Sequence, residues 1–172
     1  MASLMENLID VLNKESSEYE TLLELSMQKT PAVVAGNLDA LQKITDEEQI
    51  VVSRINHLEK IRTENINDIA NVLNKDVKTL KLDRLIEMLE SRPAERQQLA
   101  DVHDRLKSVV NRVKMINEQN RELIAHALEM VEFDMNLLQA MRTAPETAEY
   151  NKGAYNTGNS FGMDHNGFDA KQ

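Results

Sequence analysis

Residues 99–141 read LADVHDRLKSVVNRVKMINEQNRELIAHALEMVEFDMNLLQAM, and this stretch decides the fold. One stripe steps through Leu99, Val102, Leu106, Val109, Val113, Ile116, Asn120, Leu123, Ala127, Met130, Asp134, Leu137 and Met141. The intervals alternate strictly between three and four residues for six heptads. A sustained 3.5-residue period is the pattern of left-handed coiled-coil packing. Pro93 fits the first turn upstream, where its missing N–H costs little, and Ser91 or Arg92 caps it. The spacing therefore predicts a helix from Pro93 to Met141, roughly 70 Å long at ~1.5 Å per residue.

Two seam positions are polar. Asn120 in a seam disfavours wrong alignments at some cost in stability, or it marks a place where the seam opens toward a partner. Asp134 belongs at a rim, since an unpaired buried carboxylate is costly. A second apolar stripe, Ile124, Leu128, Val131, Met135 and Leu138, runs beside the C-terminal half of the seam. The matching upstream positions, His103, Lys107, Val110, Lys114, Asn117 and Arg121, are mostly polar. One seam buries a helix against its neighbours, and a second stripe needs a second cover. That cover is either the N-terminal helix or a partner, and Met130, Met135 and Met141 supply side chains that adapt to more than one surface.

Working back toward the N-terminus, the chain stays helical. A first helix begins near Ser3 and follows Leu4, Leu8, Val11, Leu12, Tyr19, Leu22, Leu23 and Leu25, interrupted at Glu15 and Ser16. Pro31 disfavours helical geometry in the residue before it, so the helix is expected to stop near Thr30, with a short turn running on to Gly36. Asn37 caps a second helix with an uninterrupted apolar pattern to Leu73, turning near Asn74 to Val77. A short helix spans 82–90. The fold class is all-α: an elongated antiparallel bundle of three long helices plus one or two short ones, with coiled-coil-like packing. The helical domain covers 1–142. Residues 143–172 form a flexible Gly/Asn-rich tail, holding four of the five glycines and, as Tyr150, Tyr155, Phe161 and Phe168, four of the six aromatics.

Composition narrows the function. Aromatics are 3% of the residues and Trp is absent, whereas compact enzymes usually bury several large rings. A net charge of −9 argues against nucleic acid, which needs clustered Lys and Arg. No cysteine is present to make a disulfide or thiolate site. No apolar run reaches the ~18 residues of a membrane span, and Glu6 and Asp10 replace the basic start of a secretory signal. A cytoplasmic protein without membrane insertion is expected. Di-iron bundles carry Glu-x-x-His on two helices; none of His57, His103, His126 and His165 follows a glutamate by three residues. Nor is there a phosphate-binding loop of the GxxxxGK[ST] type. The expectation is a protein-binding helical chain with no catalytic residue, metal or cofactor. A structural coiled-coil scaffold or self-assembling adaptor is the alternative, in which both stripes are buried in a homo-oligomer.

The chain also resembles the FlgN family of flagellar export chaperones. The resemblance is carried by EYETLLEL at 18–25, GNLDALQKITDEEQ at 36–49, HLEKIR at 57–62, Asn117-x-x-Asn120-x-x-Leu123 and Tyr150-x-x-Gly153, in that order and spacing. It implies a cytoplasmic chaperone of type III export, monomer or homodimer. Its clients would be hook–filament junction proteins, and its further partners the export gate and the export ATPase complex. It implies that the C-terminal part of the last helix holds the client's terminal segment, here Asn120, Ile124, Leu128, Val131, Met135 and Leu138. It also implies that a Tyr near the end of that helix, here Tyr150, docks on the export gate.

Overall fold

The computed structural model describes residues 2–143, and among these every regular element is a helix. The long helices are α1 (Ala2–Val34), α2 (Leu38–Leu73) and α4 (Pro93–Thr143). The short α3 (Leu82–Met88) follows a 3-10 turn at Val77–Thr79. The chain divides into two units, Met1–Asp134 and Met135–Gln172. In the second, only the last turns of α4 lie within the described residues, and the expected tail from 144 onward lies outside them.

Helix ends follow local chemistry. The α1–α2 turn is a Schellman motif: Asn37 N–H donates to the Ala32 carbonyl and Gly36 N–H to that of Val33, both at 3.0 Å. Gly36 sits at φ 62°, where a side chain is disfavoured. Asn37 then accepts from Ala40 N–H at 3.0 Å through its side chain, capping α2. α2 ends in the same way, with Asn74 in the left-handed region at φ 51° and N–H bonds from Asn74 and Lys75 back to Asn71 and Ala70. Arg92 and Pro93 open α4, with Arg96 N–H donating to the Arg92 carbonyl.

Both boundaries of α1 differ from the sequence reading, α3 ends at Met88 rather than at 90, and α4 runs to Thr143 rather than Met141. α1 does not stop at Thr30 but runs through Pro31 to Val34. The proline deprives only the Met27 carbonyl of its helical donor, and Met27 is half exposed. Meanwhile Ala32 and Val33 are buried and Thr30 bonds to α4, so tertiary packing holds the last turn helical. Ser3 lies inside the first turn, because α1 starts at Ala2.

The polar bridges between helices give their directions. Going up α1, Glu15 meets Arg62, Glu18 meets Arg54, and Ser26 and Lys29 meet Glu48. The partner number falls as the α1 number rises, so α1 and α2 are antiparallel. Toward α4, Asn13 and Ser16 meet Arg105, while Ser26 and Thr30 meet Asn120. Here both numbers rise together, so α1 and α4 run parallel. The core between them takes Met5, Leu8, Leu12, Leu22, Leu23 and Leu25 from α1, and Val51, Ile55, Ile69 and Ala70 from α2. α3 adds Leu85 and α4 adds Leu99, Val102, Leu106, Val109 and Val113.

The break that the sequence shows at Glu15 and Ser16 is filled rather than open. Both residues are fully buried. Arg105 Nε donates to Ser16 Oγ at 3.1 Å, and Arg62 donates to Glu15 Oε2 at 2.8 Å. Glu15 Oε1 has no hydrogen-bond donor. Burial pushes the Glu15 carboxyl above its ordinary value, Arg62 opposes this and Glu59 adds to it. Burial also raises the Tyr19 phenol, helped by the carboxylates of Glu59 and Glu15.

Asn120 closes the seam. It is 2% exposed, its Nδ2 donates to the Ser26 carbonyl and its Oδ1 accepts from Thr30 Oγ1, both at 2.7 Å. Replacing it by Ala strands the Thr30 hydroxyl, so Asn120→Ala is expected to lower unfolding stability by about 1–3 kcal/mol in a urea titration. Glu15 makes a second, pH-resolved prediction. A carboxyl whose folded pKa is raised favours the native state while protonated, and this contribution is lost as pH rises from the unfolded value, about 4.5, through the folded one. Stability relative to Glu15→Gln should therefore fall across that interval and then level off, as measured by urea unfolding at a series of pH values.

Candidate functional site

The site is built by a difference in length between two parallel helices. α1 has 33 residues and α4 has 51. α1 covers the α4 seam from Leu99 to Asn120, where the five apolar positions to Val113 are buried. One turn past the Thr30–Asn120 bond, α1 ends at Val34 and the chain turns away into α2. Leu123 and Ala127 are half-buried, and from Leu128 to Asp134 every residue of α4 is exposed. Seam and second stripe are open together there. Of the two covers considered for the second stripe, the N-terminal helix therefore does not reach beyond the level of Ile124.

The candidate residues fall into three groups. Ile124, Leu128 and Val131 share the first unit and are exposed, Leu128 by 59%. Met135 and Leu138 belong to the second unit, where both are exposed and line a recess of ≈ 390 Å³ with Gln139 and Arg142. Asn120 is different: its amide is spent on Ser26 and Thr30 inside the α1–α4 contact, so it borders the open face without presenting its polar group to it. Tyr150 lies outside the described residues.

Sequence reasoning missed several contributors. Phe133 belongs to neither stripe yet is exposed by 67% beside Met130 and Asp134, which widens the apolar surface. Val34 and Leu38 flank the α1–α2 turn and are also exposed. Their signal was present, as branched apolar residues on both sides of a Gly-Asn turn, but turns are usually read for their breakers alone. A groove of ≈ 360 Å³ also adjoins Ile124, lined by Leu22, Lys29, Glu48, Val52, Asn117, Asn120, Arg121 and Ile124. Lys29 and Glu48 form an ion pair along it, and Ser26 Oγ donates to Glu48 at 3.5 Å.

The electrostatics of the open stretch are one-sided. Between Arg121 and Asp134, the carboxylates of Glu122, Glu129, Glu132 and Asp134 face a single permanent cation, Arg121. His126 lies 3.6 Å from Glu129. At 3.6 residues per turn Glu132 and Asp134 edge the apolar stripe, with Arg121 beside it, while Glu122 and Glu129 lie on the opposite face of the helix. The exposed stripe is equipped to bury a complementary surface, at about 1.5–3 kcal/mol for each large aliphatic side chain fully covered.

Among the described residues, no helix is long and apolar enough to cross a membrane. The family model described as FlgN protein matches residues 1–157. The chain is also similar to a Bacillus subtilis (strain 168) protein named "Uncharacterized protein YvyG", with 25% identity over 131 residues, 76% of this chain and 78% of that protein. No solved structure matches. Since the family match takes in all four helices and runs past the end of α4, the chain belongs to the FlgN family of flagellar chaperones.

Proposed function

We propose that this chain is a cytoplasmic chaperone of type III flagellar export that holds the terminal helical segment of hook–filament junction proteins on the open part of α4. The observation that carries this reading is the uncovered stripe from Ile124 through Val131, extended along the same helix by Met135 and Leu138. A secreted coiled-coil subunit cannot bury the apolar faces of its termini until it assembles. A helix laid against those faces prevents premature polymerisation and aggregation. α4 then carries a coiled-coil seam that α1 fills as far as Asn120 and a client fills beyond it. Release needs no nucleotide chemistry in this chain, because transfer to a competing partner at the export apparatus suffices. The export gate and the export ATPase complex are the partners the family implies, with Tyr150 as the gate-docking residue. The chaperone acts as a monomer or homodimer, not as an enzyme.

The scaffold alternative requires both stripes to be buried between copies. Exposure of both stripes in the single chain is compatible with it only if the isolated protein is a stable oligomer, and sedimentation at micromolar concentration distinguishes the two.

Because Leu128 and Leu138 are exposed, Leu128→Asp or Leu138→Asp should leave the thermal midpoint unchanged while weakening client binding by about thirtyfold or more, a hot-spot loss of ~2 kcal/mol. Calorimetric titration with the full-length junction protein reads this directly, and unfolding of either variant would mark the stripe as core. A second titration addresses Tyr150. Tyr150→Ala should keep client affinity and stability but weaken binding to the cytoplasmic domain of the export gate by a similar factor. Lost client affinity with unchanged gate affinity would move Tyr150 into the client site.

A further inference from the structure

The end of α1 places a second wall on the α4 surface. Thr30 and Asn120 are bonded across two parallel helices, so one turn onward brings Val34 level with Ile124. There α1 stops, and the Schellman turn carries the chain away into α2. The α4 seam continues through Ala127 and Met130 along the track that α1 has just left. At the point of departure, Val34 and Leu38 are exposed by 72% and 76%. The turn does not need them: its bonds are made by backbone groups, and Gly36 supplies the positive φ. Two branched apolar side chains thus stand at the head of an open apolar track, edged by Glu132 and Asp134 with Arg121 as the permanent cation beside it, while Glu122 and Glu129 lie on the far face of the same helix.

We infer that the occupant of this surface is an amphipathic helix of a partner protein, flanked by Lys or Arg, that takes over the track of α1 on α4 and rests its end on the α1–α2 turn at Val34 and Leu38. The inference builds on the reading of α4 as the client surface and adds to it the turn and the sign of the partner's charge. It rests on continuity with an existing interface. The seam up to Asn120 already accepts a parallel helix with apolar residues at three- and four-residue spacing, and the positions beyond repeat the spacing. Glu132 and Asp134 edge the track, and Glu122 and Glu129 on the far side of the same helix add to the negative field at low salt, so basic flanks on the newcomer are favoured over acidic ones.

Two synthetic helical peptides test this, sharing one leucine stripe at three- and four-residue spacing, one flanked by lysine and the other by glutamate. Each is titrated against the full chain, against a Val34→Ser/Leu38→Ser variant and against Leu128→Ser. The lysine peptide should bind at least about tenfold more tightly than the glutamate peptide at low salt, with the gap closing as salt is added. The double variant should weaken the lysine peptide about tenfold while its unfolding midpoint stays put. Either single variant carries the same test if the double one unfolds. Unchanged binding by the turn variants, with Leu128→Ser still weakened, would remove the turn from the site and leave the α4 reading intact. Unchanged binding by Leu128→Ser as well would overturn both. Equal affinity for the two peptides would refute the basic flank. If the turn variants instead dissolve a dimer seen by sedimentation and spare peptide affinity, a second copy is the occupant and the proposal fails.

Discussion

The two hydrogen bonds of Asn120, to the Ser26 carbonyl and from the Thr30 hydroxyl, set the register on which the rest depends. Apolar seams tolerate slippage, because a shift by a heptad presents a similar row of methyl groups. A buried amide does not tolerate it, because each displaced register leaves a donor and an acceptor without partners. Locking Asn120 beside Thr30 fixes where α1 runs out along α4. That point decides which residues of α4 are core and which are surface.

The same economy appears lower down α1. Asn13 and Ser16 are bound by Arg105 of α4, and Glu15 by Arg62 of α2, so one short stretch of α1 is keyed to two different helices. Buried ions are weak sources of stability, since desolvation offsets most of their attraction. The unsatisfied Glu15 oxygen and the raised Glu15 pKa are the visible cost. What such groups contribute is discrimination, because a helix pairing that leaves Glu15 without Arg62 is penalised far more than the native one.

The elements were legible because their signals are local. The alternation of threes and fours from Leu99, the Asn37 cap, the Asn74 turn and Pro93 are each contained within a few residues. Pro31 misled because its penalty is also local, whereas the Thr30–Asn120 bond that overrides it joins residues ninety positions apart. Glu15 and Ser16 read as a fault in the stripe for the same reason, their arginines lying 47 and 89 residues downstream. The seam itself could not say where it is covered. Its period passes through Asn120 unchanged, and only the end of α1 at Val34 divides the buried part from the open one. Asn120 was accordingly grouped with Ile124 and Leu128, although its amide points into the α1 contact and theirs is the open side.

The Schellman turn at Gly36 also bears on the order in which the molecule assembles. Contacts across the α1–α2 hairpin join residues 19 to 47 apart, while those between α1 and α4 join residues 89 to 94 apart. Each doubling of a closed loop costs roughly 0.6 kcal/mol of chain entropy, so the hairpin has the entropic advantage in closing first. During synthesis it is also complete before the ribosome has made α4. The nascent hairpin therefore waits with one apolar flank bare, and the helix that captures it is the chain's own α4. Docking of Leu99 to Asn120 then covers that flank, so the first half of α4 does for the chain's own hairpin what a separate partner would otherwise have to do.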